Sequence, residues 1–268
     1  MPARLNNDIF ADVLGKHSWV RKFYIFLTHS LLLKNNIIRR EIKLCGRRRI
    51  KSQHVLYPGF GMGQLLGLFA RQPNKFNVLA IDKDPNMVIQ SSGYFQEENI
   101  KNIYCRSADI LKFTEQNVFD LALSINLLNY IEDDTTALTN IYNSLKKPGI
   151  LIIFNSSNYA DDKASKLNIG VYKDQKYRNG YGILELKHKL KEVGFSKVKA
   201  RYVYGTFGIL SWKLTTAWPS AMIKSSKLFF LILPVYTLIC IPFVFILNML
   251  DINFKHKKGK CVVVKAFK

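Results

Sequence analysis

The chain has 268 residues, a formal net charge of +21 and a mean hydropathy of −0.01. Because 48% of the residues are apolar, the chain can bury a sizeable core, which excludes an intrinsically disordered protein. The 4 cysteines are scattered without a C-x-x-C pair, so neither a zinc site nor a disulfide framework is indicated and a reducing cytoplasmic setting is favoured. The first residues, MPARLNNDIFADVLGKHS, lack the apolar region of a signal peptide, so we expect none.

The positive charge lies in the two flanks of the chain. Residues 1–53 carry 12 basic and 3 acidic side chains, residues 54–155 carry 8 and 10, and residues 156–268 carry 20 and 6. The middle segment is therefore nearly neutral. Basic flanks attract polyanions, and charge alone does not separate nucleic acid from an anionic membrane.

The N-terminal 50 residues are predicted to be a basic helical cap. Residues 18–33 are apolar and rich in aromatic side chains, which favours a helix with a broad apolar face. The basic run from Arg39 to Arg49 follows. It is either a solvated helical surface or a surface that faces a polyanion.

Strands and helices then alternate along the chain. We predict strands at about 54–57, 77–81, 102–105, 119–124 and 150–154, with helices at about 62–72, 85–95 and 134–145 between them. Lys147-Pro148-Gly149 is predicted to be the turn before the fifth strand. Further on, 181–195 is typical of an amphipathic helix, and 196–204 and 261–267 are typical of strands. This alternation predicts a mostly parallel sheet with helices on both faces.

A glycine turn follows the first strand. The apolar run Val55–Tyr57 leads into Gly59, Gly61 and Gly63. A strand, a glycine turn and a helix in this order bring backbone N–H groups close to a ligand without clashes from Cβ atoms. The spacing is G-x-G-x-G rather than the dinucleotide G-x-G-x-x-G.

Together these residues resemble the class I S-adenosylmethionine-dependent methyltransferases, over about 50–200 and the final strand. The resemblance implies a Rossmann-like sheet of seven strands with the last one antiparallel. It implies that the glycine turn is the family's first motif, and that Asp82, at the end of the second strand, binds the ribose hydroxyls. A carboxylate is suited to that role because it accepts hydrogen bonds from both vicinal hydroxyls.

Asp109 matches the family's acidic residue near the adenine amine, and its alternative role is that of a turn or helix cap. One departure is that Tyr57-Pro58 stands where the family usually has an acidic residue before the first glycine. The resemblance assigns S-adenosylmethionine binding to Tyr57, Gly59, Gly61, Gly63, Asp82, Lys83, Asp109, Ile110 and Asn126.

The sequence offers no clear general base and no metal site. Of the 5 isolated histidines we favour His29, because it lies on the N-terminal helix that often covers the pocket in the family. Tyr130, with Asn126 and Asn129, follows the fourth strand and is expected to line the transfer site. A loop carrying Tyr172, Tyr177 and Tyr181 is a candidate to close over substrate.

An apolar insertion separates the last two strands. Residues 228–250 contain no charge, and this length alone is typical of a transmembrane helix. Against a single pass, the final strand must rejoin the sheet, lysines flank both ends, and Pro234 and Pro242 interrupt a helix. We therefore predict a broken, re-entrant or interface-lying helical pair; the alternative is a soluble lid over the active site.

The sequence thus predicts a cap at 1–50, a methyltransferase core at 51–204, an insertion at 205–258 and a final strand at 259–268. The leading hypothesis is an enzyme at the inner face of the membrane that methylates a lipophilic small molecule, such as a quinone, polyene or lipid-like hydroxyl. One alternative is an RNA or DNA methyltransferase that uses the basic flanks. Another is a non-enzymatic membrane adaptor on a degenerate methyltransferase fold.

Overall fold

The structure is a computed structural model that describes residues 31–45, 53–61, 63, 65–158, 180–225 and 229–268. Its strands are β1 (Gln53–Pro58), β2 (Phe76–Asp82), β3 (Ile103–Ser107), β4 (Phe119–Ile125), β5 (Leu145–Ser156), β6 (Lys197–Val203) and β7 (Cys261–Phe267). Its helices are α1 (Leu33–Cys45), α2 (Gly67–Ala70), α3 (Pro85–Glu97), α4 (Asp134–Ser144), α5 (Ile183–Val193), α6 (Thr206–Trp212), α7 (Trp218–Ser225) and α8 (Phe229–Asn253). A π-helical turn, Lys213–Ala217, joins α6 to α7.

The seven strands form one sheet in the order β3-β2-β1-β4-β5-β7-β6. Neighbours among β1 to β5 are parallel, whereas β7 is antiparallel to both β5 and β6. Strand β6 therefore runs in the same direction as β5, and the carboxyl ends of β1 to β6 lie at one edge of the sheet. The predicted Rossmann-like, mostly parallel sheet is confirmed.

The sheet is buried on both faces because side chains alternate along its central strands. One face, with Val55 and Leu123, packs in a cluster that includes residues of α1. The other face, with Leu56 and Ala122, packs in a cluster that includes residues of α4 and α5. Both clusters contain residues of β1, β2, β4, β5 and β7, so these strands form the centre of the core.

Two predicted elements differ from the structure. The helix predicted at 62–72 is limited to Gly67–Ala70, since Gly63 has a left-handed φ of 66° that a helix does not accommodate. Strand β5 begins at Leu145, so Lys147-Pro148-Gly149 lies within the strand rather than in a turn before it. Pro148 has no N–H for the ladder, and the register of β4 with β5 shifts between Phe119 and Leu121.

The predicted break in the apolar insertion is wrong, because α8 is one helix of 25 residues that contains Pro234 and Pro242. Each proline removes one backbone hydrogen bond, and the remaining ladder continues past it. Over Ile232–Asn253 the helix is long enough and apolar enough to cross a membrane, by length and composition alone. Of its most apolar stretch, 11% is buried inside the protein.

Helix α8 forms a hairpin with α6 and α7, which we call the apolar hairpin (206–253). The Ser211 hydroxyl donates to Asn248 Oδ1 at 2.6 Å, and the Tyr236 hydroxyl donates to the carbonyl of Leu214 at 2.9 Å. Rising numbers on α6 thus meet falling numbers on α8, so the two arms are antiparallel. A single membrane crossing does not fit this hairpin. Strand β6 before it and strand β7 after it pair over seven residues, so both ends of the hairpin lie on the same side.

A buried carboxylate anchors the hairpin to the sheet. Asp251 is 0% exposed, and it accepts hydrogen bonds from the backbone N–H groups of Tyr204 (3.0 Å), Gly205 (2.9 Å) and Gly208 (2.9 Å). His256 Nε2 lies 3.1 Å from its Oδ1. We call these five residues the hairpin root; it lies where β6 ends and β7 begins, at the carboxyl edge of the sheet.

Helix α1 is attached to the sheet by a second buried carboxylate. Glu41 lies 2.6 Å from Lys265 of β7 and 3.0 Å from Arg201 of β6. Although burial favours the neutral acid, the hydrogen bonds and charges of these two cations hold the pKa of Glu41 below its usual value. Arg40 continues the attachment by donating to the carbonyl of Ile252 at 2.8 Å, which caps the end of α8.

We expect Asp251→Ala to lower the free energy of unfolding by about 3 kcal/mol or more, because it leaves buried N–H donors without an acceptor. The measurement is the thermal unfolding midpoint of the full chain by circular dichroism. The control is Asp133→Ala, which removes an exposed carboxylate that caps α4 through one N–H at 2.9 Å and should cost about 1 kcal/mol. Equal shifts of the midpoint in the two variants would contradict the anchoring role of Asp251.

Candidate active site

The glycine turn has left-handed backbone at all three of its glycines. Gly59, Gly61 and Gly63 have φ angles of 65°, 55° and 66°, which residues with a Cβ rarely adopt. A Cβ at Gly59 would lie 2.5 Å from Leu127 Cδ1, whereas a Cβ at Gly61 would have no atom within 4 Å. The turn is therefore packed against the end of β4 on one side and open at Gly61.

Asp82 holds this turn in place. Its two carboxylate oxygens accept backbone N–H groups, from Gly61 at 2.9 Å and from Asp84 at 3.0 Å. The sequence predicted a ligand contact for Asp82 and did not predict this internal one. Each oxygen keeps a further lone pair, so ordering the turn and binding ligand hydroxyls are compatible.

Tyr57, in the place of the family's acidic residue, is only 3% exposed. Burial raises the pKa of its phenol, and the negative charge of Asp82 raises it further. Tyr57 is therefore a neutral phenol at physiological pH, close to the aspartate. The negative charge at this end of β1 comes instead from Asp82, the last residue of the neighbouring strand β2.

The other residues assigned to the cofactor are distributed around the same sheet edge. Asp109 is beside the end of β2, because the N–H of Ala108 donates to the carbonyl of Asp82 at 3.0 Å. Asp109 Oδ1 accepts the N–H of Leu111 at 2.9 Å, so the capping role weighed from sequence is present. Ile110 is buried and Lys83 is exposed. Their contacts with a cofactor remain predictions.

The ends of β4 and β5 meet at Asn126. Its φ is 56° and its N–H donates to the carbonyl of Phe154 at 2.7 Å. Below it, Asn155 donates to Asn129 Oδ1 at 3.0 Å, and both amides are buried. Tyr130, which is half-buried, ends the 3₁₀ turn that contains Asn129. Asn126, Asn129 and Tyr130 thus follow the end of β4, and their expected place in the lining of the transfer site stays a prediction.

The expectation that Tyr181 belongs to a closing loop is wrong. Tyr181 is 0% exposed, and its hydroxyl donates to Asp134 Oδ2 at 2.7 Å, with the carbonyl oxygen of Leu128 also near it at 3.1 Å. It is a core residue that fixes the start of α4. His29, Tyr172 and Tyr177 lie outside the described residues.

Sequence reasoning missed two residues that reach the same edge from far along the chain. The N–H of Lys34, in the first turn of α1, donates to the Tyr204 hydroxyl at 3.0 Å, across 170 residues. The ring of Tyr204 lies 6.2 Å from that of Phe154, at the end of β5. Neither residue belongs to a local motif, so the sequence gives no signal for this contact.

This edge fits S-adenosylmethionine. The turn offers open space at Gly61, Asp82 offers hydroxyl acceptors, and Asn126 lies at the end of β4 where the methionine part is expected. Among the residues that the structure describes, no group of three or more His, Cys, Asp or Glu side chains could hold a metal ion.

Comparisons with known proteins agree with this geometry. A family model described as a methyltransferase domain matches residues 56–153. Carboxy-S-adenosyl-L-methionine synthase of Pectobacterium atrosepticum is 28% identical over 117 residues, which cover 42% of this chain and 46% of that protein. The same enzyme of Photorhabdus laumondii is 24% identical over 159 residues, covering 58% and 63%. The chain thus spans about half to two thirds of these relatives' length.

Solved structures show the same fold. Phosphoethanolamine N-methyltransferase 2 of Haemonchus contortus, solved with S-adenosyl-L-methionine, has a TM-score of 0.60 at 17% identity, covering 91% of this chain and 56% of that one. A possible histamine N-methyltransferase of Thermotoga maritima has a TM-score of 0.54 at 15% identity, covering 97% and 99%. Residues 56–153 of the chain therefore match a methyltransferase-domain family, and the chain has the fold of S-adenosylmethionine-dependent methyltransferases.

Proposed function

We propose that this chain transfers a methyl group from S-adenosylmethionine to a lipophilic small molecule at an anionic membrane surface. The acceptor is a hydroxyl of a quinone, polyene or lipid-like molecule, and the enzyme acts at the cytoplasmic face of the membrane. The observation that carries the proposal is that the apolar hairpin is rooted at the sheet edge that also carries the glycine turn. A surface that attracts lipid and a site that fits the methyl donor thus share one side of the molecule.

The outward side of α8 supports the lipid part of the proposal. No charge occurs between residues 228 and 250, and the helix packs inward through Val244, Asn248 and Asp251. Its outward side chains are each 52–67% exposed: Ile232, Val235, Leu238, Ile239, Phe243, Phe245, Ile246 and Met249. So large an exposed apolar face is typical of a membrane or protein contact.

The ends of the hairpin favour a membrane over a protein partner. Lys255, Lys257 and Lys258 are exposed directly after α8, and Trp218 on the facing arm is 46% exposed. Lysines and tryptophans beside an apolar helix match the headgroup boundary of an anionic bilayer. A helix that lies in the plane of that boundary satisfies both the apolar face and the pairing of β6 with β7.

The residues around the donor contribute position and a dry environment. S-adenosylmethionine supplies an electrophilic methyl group on a sulfonium. The glycine turn and Asp82 fix its place, and the packed ends of β4 and β5 exclude water from one side of the acceptor. Alignment and desolvation of this kind account for most of the catalysis that a methyl displacement needs.

Two other functions are outcomes of the same assays. The charge of +21 favours nucleic acid as a second acceptor class, and incorporation of labelled methyl into RNA rather than into a lipid extract would support it. The relatives named carboxy-S-adenosyl-L-methionine synthases suggest a modified donor. Mass spectrometry of the nucleoside product separates S-adenosylhomocysteine from such a molecule.

We expect Asp82→Ala to weaken S-adenosylhomocysteine binding about 10–100-fold, because it removes charge-assisted hydrogen bonds and loosens the turn. Isothermal titration calorimetry measures the Kd. The control is Asp120→Ala, a carboxylate that also accepts a backbone N–H, from His54 at 2.8 Å, at the opposite edge of the sheet. No binding by the wild type, with no change in Asp82→Ala, would refute the enzyme and leave the adaptor. Binding by the wild type with unchanged affinity in Asp82→Ala would refute the role of Asp82.

We expect the double substitution Phe243→Glu/Ile246→Glu to reduce flotation with anionic liposomes, with an apparent affinity loss of about a hundredfold from two large side chains that no longer enter lipid. The control is Ile89→Glu/Leu184→Glu, which places two charges on apolar side chains that are 69% and 80% exposed elsewhere. Binding of S-adenosylhomocysteine should be unchanged in both. Wild-type protein that remains unbound to liposomes would refute membrane association.

A further inference from the structure

The loop that follows β3, residues 108–113, lies beside the candidate ribose contact. Strand β3 pairs with β2 as far as Ser107 and Asp82, and the N–H of Ala108 donates to the carbonyl of Asp82 at 3.0 Å. The glycine turn lies on the other side of β2, at the end of β1. A nucleoside whose ribose binds Asp82 and whose methionine part points toward β1 and β4 is therefore expected to have its base at this loop, which we call the β3 loop.

The β3 loop has little regular structure of its own. It contains one 3₁₀ turn of three residues, Ile110–Lys112, and Asp109 caps this turn by accepting the N–H of Leu111 on Oδ1 at 2.9 Å. Such turns are weak in isolation, because their hydrogen bonds have poor geometry and few residues share the cost of ordering. The direction in which Asp109 faces therefore depends on contacts from outside the loop.

A side chain of α4 supplies such a contact. Asn140 Nδ2 donates to the carbonyl of Ile110 at 2.8 Å and to the carbonyl of Leu111 at 3.0 Å. An amide nitrogen carries two hydrogens, so each carbonyl receives one. Because the two carbonyls belong to consecutive peptide units, a bond to both fixes the rotation of the turn as well as its distance from α4.

The other contacts of the β3 loop restrain its direction less. Ile110 and Phe113 are buried in the cluster that contains residues of α4, but apolar packing is not directional. On the outside, Arg106 lies 2.7 Å from Glu115 and over the ring of Phe113 at 5.5 Å. The Arg106 side chain is 48% exposed, and ion pairs this exposed contribute little. Asn140 is therefore the main directional restraint on the turn among the described residues.

The rotation of the turn decides what the second oxygen of Asp109 can meet. Its Oδ1 is engaged by the N–H of Leu111, so the other oxygen faces where the turn directs it. The edge of adenine presents an amine, which donates to a carboxylate. Hypoxanthine presents a carbonyl oxygen at the same place, which a carboxylate repels. A carboxylate held toward the base thus favours adenine over hypoxanthine, and one that turns away favours neither.

We propose that Asn140 is a positioning residue that sets the preference of the donor site for an adenine nucleoside. It binds both carbonyls of the turn and so directs Asp109 at the amine of the base, without touching the ligand itself. This inference rests on the proposed function of the same site. Asn140 belongs to no local motif, since its contacts reach across 29 and 30 residues.

The test measures two dissociation constants by isothermal titration calorimetry on the full chain in detergent micelles. The probes are S-adenosylhomocysteine and S-inosylhomocysteine, which carries hypoxanthine in place of adenine. Two variants remove the donors: Asn140→Ala, and Asn140→Leu, which keeps the size of the side chain. In both we expect the preference for adenine to fall about tenfold, because S-adenosylhomocysteine loses a charge-assisted contact that S-inosylhomocysteine never makes.

The control is Asn143→Ala, an exposed asparagine on the same helix, which should keep the preference of the wild type. Thermal unfolding by circular dichroism identifies any variant that does not fold. A role of Asn140 in packing alone would weaken both ligands equally in Asn140→Ala and leave Asn140→Leu like the wild type. An unchanged preference in Asn140→Leu would therefore overturn the proposal.

The wild type separates this failure from failure of the proposed function. If it binds neither nucleoside, the proposed enzyme falls, and the role of Asn140 falls with it. If it binds both equally, the donor site stands and the preference assigned to Asn140 is absent. If it prefers adenine and both variants keep that preference, only the role of Asn140 falls.

Discussion

The arrangement of this protein depends on one buried carboxylate, that of Asp251. It lies in the last turn of α8 and contacts the start of α6. Three backbone N–H groups and a histidine surround it, so its charge is compensated without contact with water. Without this acceptor, the chain that leaves β6 would bury donors that no secondary structure satisfies. The carboxylate therefore decides the direction in which 48 residues of hairpin, from 206 to 253, leave the sheet.

The same constraint extends to Tyr204, which follows the end of β6. Tyr204 has a left-handed φ of 58°, a conformation that costs free energy for a residue with a Cβ. Its N–H bond to Asp251 offsets that cost and turns its ring toward Phe154, from where its hydroxyl reaches Lys34. The root of the hairpin and the first turn of α1 are thus coupled through a single side chain.

The sequence predicted the features that depend on local pattern. Continuous apolar runs indicated the strands, and Gly59 to Gly63 with Asp82 indicate where the donor is expected, because spacing and alternation are local properties. Long-range contacts left no such trace: Asp251 reaches Gly205 across 46 residues, and Lys34 reaches Tyr204 across 170. The prediction for α8 was wrong because it treated the prolines as breaks. A long helix stays continuous after losing single hydrogen bonds.

Charge connects the distribution along the sequence to the proposed chemistry. The methyl donor is a sulfonium cation, which a chain of net charge +21 would repel if its basic residues surrounded the site. Residues 54–155, which carry the glycine turn and both aspartates, have a slight acidic excess instead. The cationic donor is therefore expected at the least basic part of the chain.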